Sequence, residues 1–81
     1  MKKEINFRSI KDQLPPMIAR DQIGVLLGGV ISPKYLANLD SQGLGPDKMR
    51  MGRKVVYMTE DLLSWLEART EVIVNTIKEM N

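Results

Sequence analysis

The sequence predicts a mainly α-helical domain with one small β-hairpin, and three observations lead there. Apolar residues recur at helical spacing from Ile23 onward. Two later helix-start signals, Ser32-Pro33 and Thr59-Glu60-Asp61, each precede another such run. Between them, Gly52-Arg53 separates two short β-prone segments, the pattern of a two-residue hairpin turn. With 81 residues, the chain is the size of one small domain.

The opening residues, Met1 to Asp12, show no clear period and run into Leu14-Pro15-Pro16. Proline fixes φ, lacks a donor and pushes the preceding residue out of the helical region. Residues 1–17 therefore read as an arm with at most one helical turn. Helix 1 is expected at about residues 20–28, because Ile23, Leu26, Leu27 and Val30 fall at i, i+3, i+4 and i+7. Gly28-Gly29 supplies its left-handed stop. Ala19, at its expected start, offers no capping hydroxyl.

Helix 2 is expected at about residues 33–42. Ser32 caps its free amides, and Pro33 takes the first helical position, where no donor is needed. Leu36 and Leu39 share one side; Lys34, Tyr35, Asn38 and Gln42 lie on flanking or opposite positions, and Gly43 ends the helix. The hairpin follows, with residues 48–51 and 54–58 as strands and glycine first in a type II′ turn. Alternate bases in such a hairpin can share one face. The last helix starts with Thr59 as capping hydroxyl and Glu60-Asp61 at the positive end of its dipole. Leu62, Leu63, Leu66, Ile73, Ile77 and Met80 keep helical spacing, and no Gly or Pro follows Arg53, so this helix is expected to run to about residue 79.

Helix, tight turn, capped helix, basic hairpin, helix is the order of a winged helix-turn-helix. The expected division is an arm at 1–17, the winged helix-turn-helix domain at 18–69 and a C-terminal helix extension at 70–81. Charge follows this layout. The net charge of +2 divides into +3 over residues 1–20, −1 over 21–46, +3 over 47–58 and −3 over 59–81. A basic block at Lys48, Arg50, Arg53 and Lys54, followed by an acidic segment, suggests an anionic partner at one place.

The stretch Met17 to Arg69, about two-thirds of the chain, resembles the excisionase and AlpA-type regulators of the MerR superfamily. The resemblance rests on Leu26-Leu27-Gly28, on Ser32-Pro33-Lys34-Tyr35-Leu36, on Met51 to Tyr57 with its Gly52-Arg53, and on Glu60-Asp61-Leu62-Leu63-Ser64-Trp65-Leu66. It implies a small DNA-binding protein, either a transcriptional regulator or a directionality factor for mobile-element recombination. Gly29 and Val30-Ile31 lengthen the link between the first two helices relative to that pattern, and Asp40 places an acid late in helix 2, where phosphate lies close in related folds.

The expected partner is double-stranded DNA, with Ser32, Lys34, Tyr35, Asn38, Gln42, Arg50, Arg53 and Lys54 as contact residues. Asn38 suits bidentate readout of adenine, and Tyr35 can stack or hydrogen-bond at a base or phosphate. Lys34 opens helix 2, and Arg50, Arg53 and Lys54 give the hairpin cations for the phosphate backbone. Trp65 reads as packing, Glu60-Asp61 as a helix-start pair, and the six methionines as gap-fillers. A homodimer through the apolar stripe Leu66, Ile73, Ile77 and Met80 is a further expectation.

Other classes are excluded by residues the chain lacks. Without cysteine or histidine it cannot form disulfides, imidazole or thiolate metal sites, or Ser-His and Cys-His nucleophile pairs. Gly43-Leu44-Gly45 lacks the third glycine and preceding strand of a dinucleotide fingerprint. No enzymatic activity, cofactor or small-molecule substrate is expected. The longest uncharged stretch, Gln22 to Pro33, has 12 residues and three glycines, so no membrane partner is expected and the cytoplasm is the expected location. The competing reading is a non-catalytic protein-interaction module that keeps the same fold and docks a partner through its acidic C-terminal helix.

Overall fold

The structure is a computed structural model and describes residues 7–71. Helix α1 (Arg8–Lys11) is a single turn, followed by strand β1 (Met17–Ala19), a 3-10 turn (Arg20–Gln22) and α2 (Ile23–Leu26). Helix α3 (Pro33–Ser41), strands β2 (Met49–Met51) and β3 (Lys54–Met58), and helix α4 (Thr59–Ala68) complete the order. The three strands form one antiparallel sheet in the order β1-β3-β2. The described chain is thus four helices around a small three-stranded sheet.

The sheet has one strand more than expected. Met17 pairs with Met58, Ile18 with Tyr57 and Ala19 with Val56, so the boundary expected at residue 18 falls inside β1. Residues before it are tied in too. The buried Thr59 donates its hydroxyl to the Pro15 carbonyl and its amide to the Pro16 carbonyl at 2.9 Å. This corrects the reading of Thr59 as a cap: Met58 holds that position, Thr59 is already helical, and its side chain anchors the Pro-Pro segment. On the outside, the Lys11 ammonium meets the Glu60 carboxylate at 2.7 Å.

Ile18, Ile23, Ile31, Leu36, Tyr57 and Leu62 form the core, so one face of the sheet packs on α3 and α4. Strand residues alternate between faces. The register therefore places Met17, Met49, Met51 and Met58 together on the other face, around Val56. All four are exposed, at 39–49% of their surface, which corrects for these four the expectation that the six methionines fill core gaps; Met1 and Met80 lie outside the described residues. Val30 is also solvent-facing, at 78% exposure, because α2 ends at Leu26 and the chain leaves it through Gly28-Gly29 before Val30.

Helix α4 ends at Ala68, not at residue 79, and residues 70 and 71 are non-helical. The Thr70 hydroxyl donates to the Leu66 carbonyl at 2.6 Å, giving the helix end a local partner for one of its free carbonyls. The expected C-terminal helix extension and the dimer stripe at Ile73, Ile77 and Met80 lie outside the described residues.

Candidate nucleic-acid interface

Helix α3 is built as expected. Ser32 Oγ accepts the Tyr35 amide at 3.1 Å, Pro33 opens the helix and Gln42 closes it. Leu36 and Leu39 are buried at 0% and 7% exposure, while Lys34, Tyr35, Asn38 and Gln42 are exposed. Tyr35 and Asn38, one turn apart, share the open side. The Asn38 carbonyl accepts the Ser41 hydroxyl at 2.8 Å, and among the described residues nothing binds its side-chain amide. That amide is free to pair with a flat hydrogen-bonding edge.

The hairpin turn matches the sequence reading. Gly52 has φ 61°, the left-handed value that the first central residue of a type II′ turn needs and a residue with a Cβ adopts at a cost. Its consequence for the bases differs from the expectation. The two-residue turn sets Met51 opposite Lys54 and Arg50 opposite Val55, so Arg50 and Lys54 project from opposite faces of the hairpin. Lys34, Arg50 and Arg53 make no ion pair among the described residues. Lys54 does: its ammonium meets the Asp21 carboxylate at 2.6 Å, and that hydrogen bond holds Asp21 below its ordinary pKa.

A cleft of about 380 Å³ separates the hairpin from the start of α3 and is lined by Ala19, Arg20, Asp21, Pro33, Arg53 and Lys54 among others. It brings the first residue of α3 beside the two cations at the turn. Arg50 is not among its walls. An anion crossing this cleft would meet Arg53 free and Lys54 already engaged.

Behind the cleft lies a network with no signal in the sequence. The Arg20 guanidinium meets Asp40 Oδ2 at 2.6 Å, the Tyr57 hydroxyl donates to the same oxygen, and Arg20 Nε donates to the Tyr57 hydroxyl at 3.0 Å. Burial, with Asp40 holding the phenolic proton, pushes Tyr57 up to about 12. Asp40 is only 4% exposed. Its role is thus internal, which corrects its reading as an acid facing phosphate: it ties α3 to the 3-10 turn and to the central strand. A Cβ on Gly45 would lie 1.9 Å from Asp40 Oδ1, so any other residue there would force the carboxylate to shift.

Trp65 is half-buried, donates Nε1–H to the Leu44 carbonyl at 2.9 Å and carries the Arg69 guanidinium over its ring at 4.8 Å, a packing role as expected. Among the described residues no group of three or more acidic, histidine or cysteine side chains is placed to hold a metal ion. No helix among them is long and apolar enough to cross a membrane. No protein-family model matches the chain, and no curated protein matches it.

Proposed function

We propose that this protein binds double-stranded DNA sequence-specifically as a winged helix-turn-helix module, in the manner of the excisionase and AlpA-type regulators it resembles. Helix α3 is the recognition helix and the β2–β3 hairpin is the wing. The observation that carries the reading is the placement of α3: its leucines are buried and its Lys34, Tyr35, Asn38 and Gln42 side is open, beside the Arg53 and Lys54 of the hairpin across one cleft. A B-DNA major groove ~12 Å wide admits such a helix. Cations at the turn then reach backbone phosphate, which positions the protein whatever the bases are.

Tyr35 and Asn38 are the readers in this scheme, Ser32 and Lys34 hold the start of the helix near the backbone, and Arg50, Arg53 and Lys54 serve as phosphate contacts. With about four phosphates neutralised, log K falls against log salt with a slope near −3.6. The test is a binding titration on a selected site and on random duplex across a salt series. Asn38→Ala is expected to cost about 1–3 kcal/mol on the selected site and to relax discrimination there. Arg53→Ala is expected to weaken both duplexes by similar factors and to flatten the slope by about one. Absence of binding at low salt overturns the reading and favours the protein-interaction module.

A further inference from the structure

A second cleft, of about 260 Å³, lies on residues that the DNA reading does not use. It is walled by Ile10 of α1, Leu26 and Leu27 at the end of α2, Val30, Leu66 of α4 and Thr70 just beyond it. Ile10 is 41% exposed and Val30 78%, so this is an open apolar surface where four parts of the chain meet. Leu26, Leu27 and Leu66 are half-buried beneath these two, and apolar side chains left open together around one cleft are the kind of surface that a partner segment covers.

The chain itself indicates the occupant. Helix α4 stops at Ala68, and Thr70 stands on the cleft rim. Residues 72–81 continue from that rim and carry Val72, Ile73, Val74, Ile77 and Met80 among their ten, with Lys78 and Glu79 cancelling in charge. The other segment that adjoins the cleft, residues 1–6 ahead of Phe7, carries Lys2, Lys3 and Glu4 and is poorly matched to an apolar wall. At ~3.3–3.6 Å per extended residue, a few residues beyond Thr70 are enough to cross a cleft of this size. A segment tethered this closely is present at an effective concentration on the order of millimolar, above that of a second copy in dilute solution.

We infer that residues 72–81 dock back into this cleft on their own domain. The apolar stripe that the sequence offers for dimerisation is then satisfied within one chain. This inference does not depend on DNA binding.

The absence of cysteine from the chain makes the test direct. The full-length double variant Val30→Cys/Ile77→Cys is oxidised mildly at low micromolar concentration, beside the control Arg53→Cys/Ile77→Cys, whose first thiol sits at the cleft between the hairpin and α3. Val30 is exposed enough for its substitution to leave the fold intact. The expected product is a disulfide within one chain, formed at least about tenfold faster than in the control. A disulfide-linked dimer as the main product overturns the inference in favour of a second copy. Equal rates in the two variants, or no disulfide while both thiols remain reactive, overturn it as well.

Discussion

Two ion pairs of the same length, 2.6 Å, lie at the cleft between the hairpin and α3 and differ in almost everything else. Arg20–Asp40 is 24% and 4% exposed and shares its carboxylate with a buried tyrosine, whereas Lys54–Asp21 is 61% and 56% exposed and joins two surface segments. Length therefore says little about what an ion pair does. Breaking the inner pair strands a charge away from water, so the pair locks the start of the 3-10 turn, α3 and β3 into one arrangement. Breaking the outer pair leaves both groups hydrated. That pair is exchangeable, and a phosphate can take the place of Asp21.

The largest expected effect tests the inner pair. Asp40→Ala removes the partner of both Arg20 and Tyr57 and should cost about 3 kcal/mol in a urea titration, near the low end for a broken buried pair because Arg20 keeps some access to water. A loss below about 1 kcal/mol would make the two pairs equivalent and end the distinction.

Alkaline unfolding sharpens it further. The Tyr57 phenol is held at about 12 in the folded chain against an ordinary 10. Between those values the unfolded chain releases its proton and the folded chain keeps it. The contribution, about 2–3 kcal/mol, is therefore complete below pH ~10 and disappears as the pH rises towards ~12. Stability measured across that range should fall more steeply for the natural chain than for Tyr57→Phe, and parallel curves would remove Tyr57 from the lock.

Gly45→Ala probes the same lock sterically. It should cost about 1–3 kcal/mol, since the added methyl displaces a carboxylate that is already paired. In an Asp40→Ala background the cost should shrink to less than about 1 kcal/mol, because the colliding atom is gone. Additive losses in the double variant would place the strain elsewhere.

The smallest effect on stability belongs to the outer pair. Asp21→Asn should leave the urea midpoint unchanged while random duplex binds more tightly and the salt slope steepens by up to about one, because Lys54 then reaches its phosphate without leaving behind a carboxylate that takes up a cation. Tighter binding with an unchanged slope would mean that Asp21 acts by general repulsion and not by occupying Lys54.

Local chemistry was legible in the sequence wherever it was decided within a few residues. Ser32-Pro33 started α3 where a cap and an N1 proline belong, Leu36 and Leu39 turned inward at i and i+3, and Gly52 stood where the hairpin turn needs positive φ. Each of these is set by backbone geometry and spacing, which the order of residues specifies directly. The third strand was not legible, because three residues after Pro15-Pro16 are too few to show a period, and β1 exists only through its pairing with β3. Thr59 had the right type for a cap and was taken instead by the Pro15 carbonyl, 44 residues away in sequence.

The same division runs through the candidate site. The sequence alone determined which side of α3 stays polar and which cations sit at the hairpin turn, since helix and strand periods distribute them. Tertiary structure alone decided which cations are free. Asp21 reaches Lys54 from 33 residues away, and Asp40 reaches Arg20 across 20 residues and Tyr57 across 17. A carboxylate carries the same charge wherever it stands in the chain. Whether it faces a phosphate, neutralises a neighbour or locks a core depends on burial and on what is packed beside it, and those arise only when distant segments meet.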